Sequence, residues 1–153
     1  MHSESLIEKS LSLKNEFFSS WSNYIEHSID VAVEVTNQEF AFPRLIYGYR
    51  TSNQEVRQVG QELDTKLANL AKQGLMDRFI LLELENTNKI FAVAFCIADS
   101  LLKHSYRTYG NFMSWMIAES KKATISYLKN YLSEVCKQKG QSQPSLLKRV
   151  HTN

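Results

Sequence analysis

The sequence has few of the residues that interrupt helices. Its 153 residues include 5 glycines and 2 prolines. A many-turned β fold needs such residues at its turns, so their scarcity favours long helices. The chain also lacks any run of about 18 apolar residues, which argues against a membrane-spanning helix. Its first residues lack the basic-then-apolar pattern of a secretory signal.

The sequence also lacks the short motifs that carry catalysis or cofactor binding. It has no glycine-rich phosphate loop, no dinucleotide fingerprint and no nucleophile elbow. Cys96 and Cys136 form no C-x-x-C pair and lie in apolar helical contexts, so we expect two buried free thiols in a reducing cytoplasm. His27 and Asp30 lie one helical turn apart, but no third ligand is in register for a metal. We therefore expect a cytoplasmic protein that binds rather than catalyses, with no metal and no cofactor.

What the sequence does have is apolar residues at steps of three and four, the period of amphipathic helices. This pattern predicts an all-α fold, a helical bundle of four to five helices. One domain is expected over 1–140, followed by a flexible tail over 141–153. The predicted helices span 6–29, 53–73, 78–85, 89–104 and 112–138.

Residues with strong end preferences predict where these helices begin and end. Gly74 is placed as the glycine that follows a helix. Thr87 or Asn88 is expected to cap the fourth helix, and Asn111 to cap the last one. The segment 105–110 between them is expected to be a loop.

Two segments leave a strand as the alternative. Val31, Val33 and Val35 alternate and are β-branched, so 30–36 is either a short strand or an extension of the first helix. A hairpin over 79–95 rivals the helices there, because the apolar run is too dense for its period to decide. Alanines in the second arm favour helix.

Charge is divided unevenly along the chain. Residues 1–102 contain 9 Lys or Arg and 14 Asp or Glu, whereas residues 103–153 contain 9 and 2. Such asymmetry indicates a polyanionic partner for the basic part. The acidic part is read as a solvated face, or as a surface that meets the basic part of a neighbouring copy in head-to-tail stacking.

The last predicted helix carries a basic stripe. Lys122, Ser126, Lys129, Ser133 and Lys137 recur at steps of three and four, so they share one face over roughly 22 Å. Lysines with interleaved hydroxyls can follow a phosphate backbone, although an ordinary solvated face has the same pattern. The cations of this candidate nucleic-acid site are Lys103, Arg107, Lys121, Lys122, Lys129 and Lys137.

A second candidate cluster lies in an irregular segment. Arg44 and Arg50 flank Tyr47 and Tyr49. Aromatics beside arginines can stack on the bases of a single strand. The alternative is that the tyrosines are half-buried and the arginines are solvated.

The run Val-Arg-Gln-Val-Gly-Gln-Glu-Leu over 56–63, with the chain's size, helical content and basic face, resembles a known family. That family is the small helical subunit of Cascade-type CRISPR effector complexes, which is similar to the C-terminal domain of their large subunit. The resemblance implies copies that stack along the complex, support the guide–target duplex and line the path of the displaced DNA strand.

The basic part of the chain predicts a non-catalytic protein that binds nucleic acid, and the resemblance implies that it is a subunit of a ribonucleoprotein assembly. It would bind nucleic acid through sequence-independent backbone contacts, and other protein subunits or further copies of itself would be its partners. The alternative is a small protein-binding module, such as an immunity protein or a phage-encoded inhibitor. Inhibitors that mimic nucleic acid tend to be acidic overall, and this chain has a net charge of +2.

Overall fold

A computed structural model describes residues 18–39, 54–79 and 86–132. These ranges contain four helices: α1 (Trp21–Glu39), α2 (Gln54–Arg78), α3 (Thr87–Tyr109) and α4 (Ser114–Leu128). The described part of the chain is all-α, which confirms the predicted fold class. Among the helices of these ranges, none combines the length and the apolar character that a membrane span requires. The predicted tail over 141–153 lies outside the described residues.

The four helices follow one another around a bundle in an up-down-up-down order. Tyr24, near the start of α1, lies against Gly74, near the end of α2. Lys72 of α2 donates to the side-chain oxygen of Asn88 at the start of α3, at 2.6 Å. A tight turn joins α3 to α4, which form the closest pair, and α4 packs back onto α1. The start of α1 and the α3–α4 turn therefore lie at opposite ends of the bundle.

The core sits between the inner faces of all four helices. An apolar cavity of about 80 Å³ remains among them. The hydroxyl of Thr124 on α4 is buried and has no hydrogen-bond partner among the described residues. Burial of each large apolar side chain stabilises the fold by roughly 1.5–3 kcal/mol. The largest fully buried side chains are Trp21, Tyr24, Phe79, Leu75 and Leu128.

The strand alternative for 30–36 is wrong, because this segment is the second half of α1. Val31 and Val35 lie one helical turn apart and are buried against the core, so their packing overrides the β preference of branched side chains. The second arm of the alternative hairpin is wrong as well, because Ile90 to Phe95 lies inside α3. Residues 80–85 lie outside the described residues. They include most of the hairpin's first arm and most of the predicted helix 78–85.

The first predicted helix has different ends in the structure. Residues 18–20 are not helical, so a continuous helix over 6–29 is wrong, and residues 6–17 lie outside the described residues. The Ser20 hydroxyl accepts a hydrogen bond from the backbone N–H of Asn23 at 3.2 Å, the contact of a helix N-cap. From there the helix continues to Glu39.

The prediction that Gly74 follows the second helix is wrong, because α2 continues to Arg78. The reason for a glycine here is space. A Cβ at position 74 would collide with the hydroxyl of Tyr24, whose side chain is fully buried. The glycine allows α1 and α2 to approach each other closely.

Both ends of α3 differ from the prediction. Its N-cap is Asn86, with φ of 64°, rather than Thr87 or Asn88. The predicted loop over 105–110 is wrong, since α3 continues to Tyr109 and ends with Gly110 at φ of 69°. Tertiary burial extends the helix, because Ser105 and Tyr106 both face the interior.

The last helix is shorter than predicted in the described residues. Its N-cap is Met113, and the Asn111 side chain instead accepts from the backbone N–H of Phe112 at 2.8 Å. Its last helical residue is Leu128 rather than residue 138. The Asn130 side chain donates to the carbonyls of Ser126 and Tyr127, which satisfies acceptors at the helix end. Residues 133–138 lie outside the described residues.

Candidate nucleic-acid interface

The outward face of α4 carries a row of exposed side chains, here called the α4 stripe. Its members follow one another at steps of three and four residues, so they share one side of the helix. At about 1.5 Å per residue the row runs for roughly 21 Å. The α4 stripe consists of Trp115, Glu119, Lys122, Ser126 and Lys129.

Two polar contacts fix the rotation of α4 so that this stripe faces outward. The Ser120 hydroxyl, fully buried, donates to the carbonyl of Ala98 on α3 at 3.2 Å. On the other side, Lys121 forms an ion pair with Asp30 of α1 at 2.6 Å. These contacts hold the inner side of α4 against its two neighbours and leave the opposite side exposed.

The α3–α4 turn is fixed by one buried hydroxyl. Ser105, fully buried, donates to the carbonyl of Asn111 and accepts from the backbone N–H of Met113, both at 2.8 Å. A buried hydroxyl with a donor and an acceptor partner orders the segment it bridges. The start of α4 therefore has a set position relative to the end of α3.

Lys122 and Lys129 are the two cations of the α4 stripe. Lys122 forms an ion pair with Glu119 at 2.9 Å, and the two side chains are 72% and 52% exposed. An exposed pair of this kind contributes little to stability, so a phosphate can displace the carboxylate. Lys129 follows the last helical residue with αR dihedrals, which keeps its side chain in step with the stripe.

Two other predicted cations are engaged with carboxylates at the sides of the bundle. Lys121, 22% exposed, pairs with Asp30, and Lys103, 27% exposed, pairs with Asp99 at 2.6 Å. Neither belongs to the α4 stripe. Arg107 is exposed on α3.

The remaining predicted site residues lie outside the described residues. They are Arg44, Arg50 and Lys137. Of the six cations predicted from the basic part of the chain, the structure brings Lys122 and Lys129 together on one face. Arg107 and Lys137 stay predicted site residues. Lys103 and Lys121 already form ion pairs with carboxylates.

Sequence reasoning missed an exposed aromatic pair at the α3–α4 turn. Tyr109 is 50% exposed and Trp115 is 52% exposed. Their ring centroids lie 6.0 Å apart with an interplanar angle of 76°, an edge-to-face contact. The signal was present in the sequence, because Trp115 precedes Lys122 by seven residues, nearly two helical turns. This aromatic pair lies at the N-terminal end of the α4 stripe.

A second aromatic cluster, here called the closed cluster, lies at the other end of the bundle. The guanidinium carbon of Arg78 lies 5.7 Å from the ring centroid of Phe18 and 5.1 Å from that of Tyr24. Both aromatic side chains are buried. Burial raises the pKa of the Tyr24 hydroxyl, and the nearby Arg78 charge opposes that rise. The cation and the rings of this cluster already serve each other as partners.

An open groove of about 580 Å³ runs between α2 and α3. The Lys72–Asn88 hydrogen bond and the Asp99 carboxylate lie along it. Cys96 also lines the groove and is exposed, so the predicted burial of this thiol is wrong, because its helix turns that side outward. Cys136 lies outside the described residues. Within the described ranges, no group of three His, Cys, Asp or Glu side chains could hold a metal ion.

No family model matches the chain, and no curated protein and no solved structure matches it either. The resemblance to the small subunit of Cascade-type complexes therefore remains a prediction. Support for a function comes from the α4 stripe and the aromatic pair, whose residues and contacts are described above.

Proposed function

We propose that this protein is a non-catalytic helical subunit of a larger ribonucleoprotein assembly, in which the α4 stripe binds the phosphate backbone of a nucleic acid. One observation carries this proposal. Lys122 and Lys129 lie on the outward face of one helix, in a segment, 100–132, that holds five Lys or Arg and a single acidic residue, Glu119. Ordinary solvated faces carry charges of both signs in closer balance.

The two lysines suit a phosphate backbone in spacing and chemistry. They are seven residues apart, which places them roughly 10 Å from each other along the helix. Each ammonium that neutralises a phosphate releases bound counterions, so binding weakens as salt rises. The exposed Ser126 hydroxyl between them can donate to a phosphate oxygen. Contacts of this kind position a nucleic acid without reading its sequence.

Assembly would strengthen this binding. Two stripe lysines give a modest affinity for one copy, whereas copies held side by side bind a long polymer with much higher avidity. A Cascade-type small subunit is the particular assembly member that we favour, with a cytoplasmic location. In that setting the stripe would contact the guide–target duplex or the displaced strand.

A second candidate function is favoured by the outward face of α1. Glu26, Asp30 and Glu34 recur at steps of four and are exposed, and α1 contains no Lys or Arg. Asp30 borders α4, where it pairs with Lys121, so Glu26 and Glu34 are the carboxylates of this face that lie outside that pair. An acidic face of this kind complements a basic protein surface and would steer its approach. The candidate is a protein-binding module, such as an immunity protein or an inhibitor, or a subunit whose α1 meets the α4 stripe of a second copy.

Fluorescence anisotropy distinguishes the two candidates. Labelled single-stranded and duplex DNA and RNA are titrated with the full chain at two salt concentrations. The variant Lys122→Glu/Lys129→Glu is compared with Lys66→Glu/Lys89→Glu, which makes the same charge change at exposed lysines of α2 and α3. Circular dichroism establishes that all three proteins are folded.

We expect wild type and the control variant to bind with similar affinity, and the stripe variant to lose at least tenfold. The slope of log affinity against log salt should fall in magnitude by about 1.4 for two lost contacts to a single strand. Equal losses in both variants would mean that net charge alone drives binding. An absence of binding by wild type at low salt would favour the protein-binding candidate.

A further inference from the structure

The geometry points to a base-stacking site at the aromatic pair, so that the ligand of the α4 stripe is a single strand with an unpaired base against Trp115. This inference rests on the proposed function, because it names the form of nucleic acid that the stripe would hold. It adds a contact to the base, whereas the stripe lysines contact phosphates.

The exposure of Trp115 is the first observation. Tryptophan is highly buried on average, and the other tryptophan of this chain, Trp21, is 1% exposed. Trp115 leaves 52% of its surface open at a turn that buried hydrogen bonds hold in place. The edge-to-face contact with Tyr109 orients the indole of Trp115 and leaves apolar ring surface available for stacking.

The position of the pair on α4 is the second observation. Trp115, Lys122 and Lys129 follow one another at steps of seven, so they lie on nearly the same line along the helix. A strand whose phosphates lie on the two lysines therefore continues over the indole. Alternating aromatic and cationic contacts are how sequence-tolerant single-strand binders hold their ligands.

Charge selects the occupant. Residues 100–132 hold five Lys or Arg, the exposed Arg107 among them, and one acidic residue, Glu119, which lies one helical turn after Trp115 and is paired with Lys122. An anionic ligand is thus favoured over a neutral or basic peptide at the same rings. Within a duplex the base faces are already stacked on each other, so the ring has access to them only in a single strand or at an unpaired end.

The test uses the intrinsic fluorescence of the full chain. Trp21 and Trp115 are its two tryptophans, and Trp21 is buried. Wild type is titrated with a single strand, with an abasic strand of equal length and with a duplex, each as DNA and as RNA. The variant Trp115→Leu keeps apolar bulk and loses the stacking surface, and Val93→Ala serves as a control at an exposed apolar residue of α3.

We expect the single strand to quench Trp115 emission, with little quenching by the abasic strand or the duplex. Trp115→Leu should bind the single strand between about fivefold and about a hundredfold more weakly, and Val93→Ala should match wild type. The affinity of Trp115→Leu for the abasic strand should equal that of wild type, because this strand has no base to stack.

Each contrary result has its own meaning. If Trp115→Leu binds the single strand as tightly as wild type, with the salt dependence intact, the stacking site is refuted and the phosphate proposal stands. If wild type binds none of the three ligands, the proposed function itself fails, whereas binding of the duplex alone refutes the stacking site and leaves the phosphate proposal standing. Quenching by a protein partner or by self-association, with none by nucleic acid, would also refute the inference.

Discussion

The two ends of the bundle use the same kinds of side chain in opposite ways. At one end, the closed cluster packs Phe18 and Tyr24 around the guanidinium of Arg78, and the neighbouring Trp21 is 1% exposed. At the other end, Tyr109 and Trp115 contact each other and remain about half exposed. Aromatic rings that are partnered within the chain stabilise the fold, whereas rings that remain open are available for a ligand.

Neighbouring residues explain why the two ends differ. At the closed end, Gly74 lets α1 approach α2 until the Tyr24 ring is covered, and Arg78 donates to the Gly74 carbonyl at 3.0 Å. At the open end, the Ser105 hydroxyl is satisfied by the turn itself, and no further element covers the rings among the described residues. Substitutions at the closed end should therefore change stability, and substitutions at the open end should change binding.

The largest expected effect comes from comparing the two tryptophans. Trp21→Ala removes a buried indole and should lower the free energy of unfolding by about 3–5 kcal/mol. Trp115→Ala removes a half-exposed one and its contact with Tyr109, and should lower the free energy of unfolding by only about 0.5–1.5 kcal/mol. Urea denaturation followed by circular dichroism measures both. Similar losses in the two variants would contradict the contrast between a closed and an open end.

Gly74→Ala should give the next largest effect. Alanine normally stabilises a helix interior by roughly 1 kcal/mol relative to glycine. Here the added methyl group meets the buried Tyr24 hydroxyl, so we expect a destabilisation of about 1–3 kcal/mol instead. In a Tyr24→Leu background, which lacks the hydroxyl and the ring, Gly74→Ala should lower the free energy of unfolding by less. Strict additivity of the two substitutions in denaturation experiments would show that this contact is not the cause.

The smallest effect is expected at Glu119. Glu119→Gln removes the carboxylate that pairs with Lys122 at 2.9 Å, so Lys122 becomes more available to phosphate. Affinity for a single strand should rise by a few fold at low salt, and stability should change by less than about 0.5 kcal/mol. Anisotropy titration measures the first and denaturation the second. A weaker affinity in this variant would mean that Lys122 does not contact the ligand.

Much of the helical fold follows from local patterns. The apolar steps of three and four predicted a helix from residue 53, and α2 begins at Gln54. Helix ends were less predictable, because tertiary contacts decide them. Only the structure shows that Tyr24 needs the space at Gly74, or that Ser105 is buried and bridges the turn.

The candidate site was half predictable. The period of three and four placed Lys122 and Lys129 on one face, which the structure shows to be exposed. The same reasoning could not show that Lys121 would pair with Asp30, since that pair joins two helices far apart in sequence. It also overlooked Trp115, because an aromatic residue at helical spacing is usually taken for core.

Photocrosslinking tests the contrast between the two ends most directly. A single strand carrying 5-iodouracil is bound to the full chain, irradiated, and mapped by mass spectrometry of the crosslinked peptides. We predict crosslinks at Tyr109 or Trp115, lost when Lys122→Glu/Lys129→Glu removes the stripe cations. Crosslinks confined to the closed end, at Phe18, Trp21 or Tyr24, under conditions where anisotropy shows the strand to be bound, would contradict the account and place the ligand at the other end of the bundle.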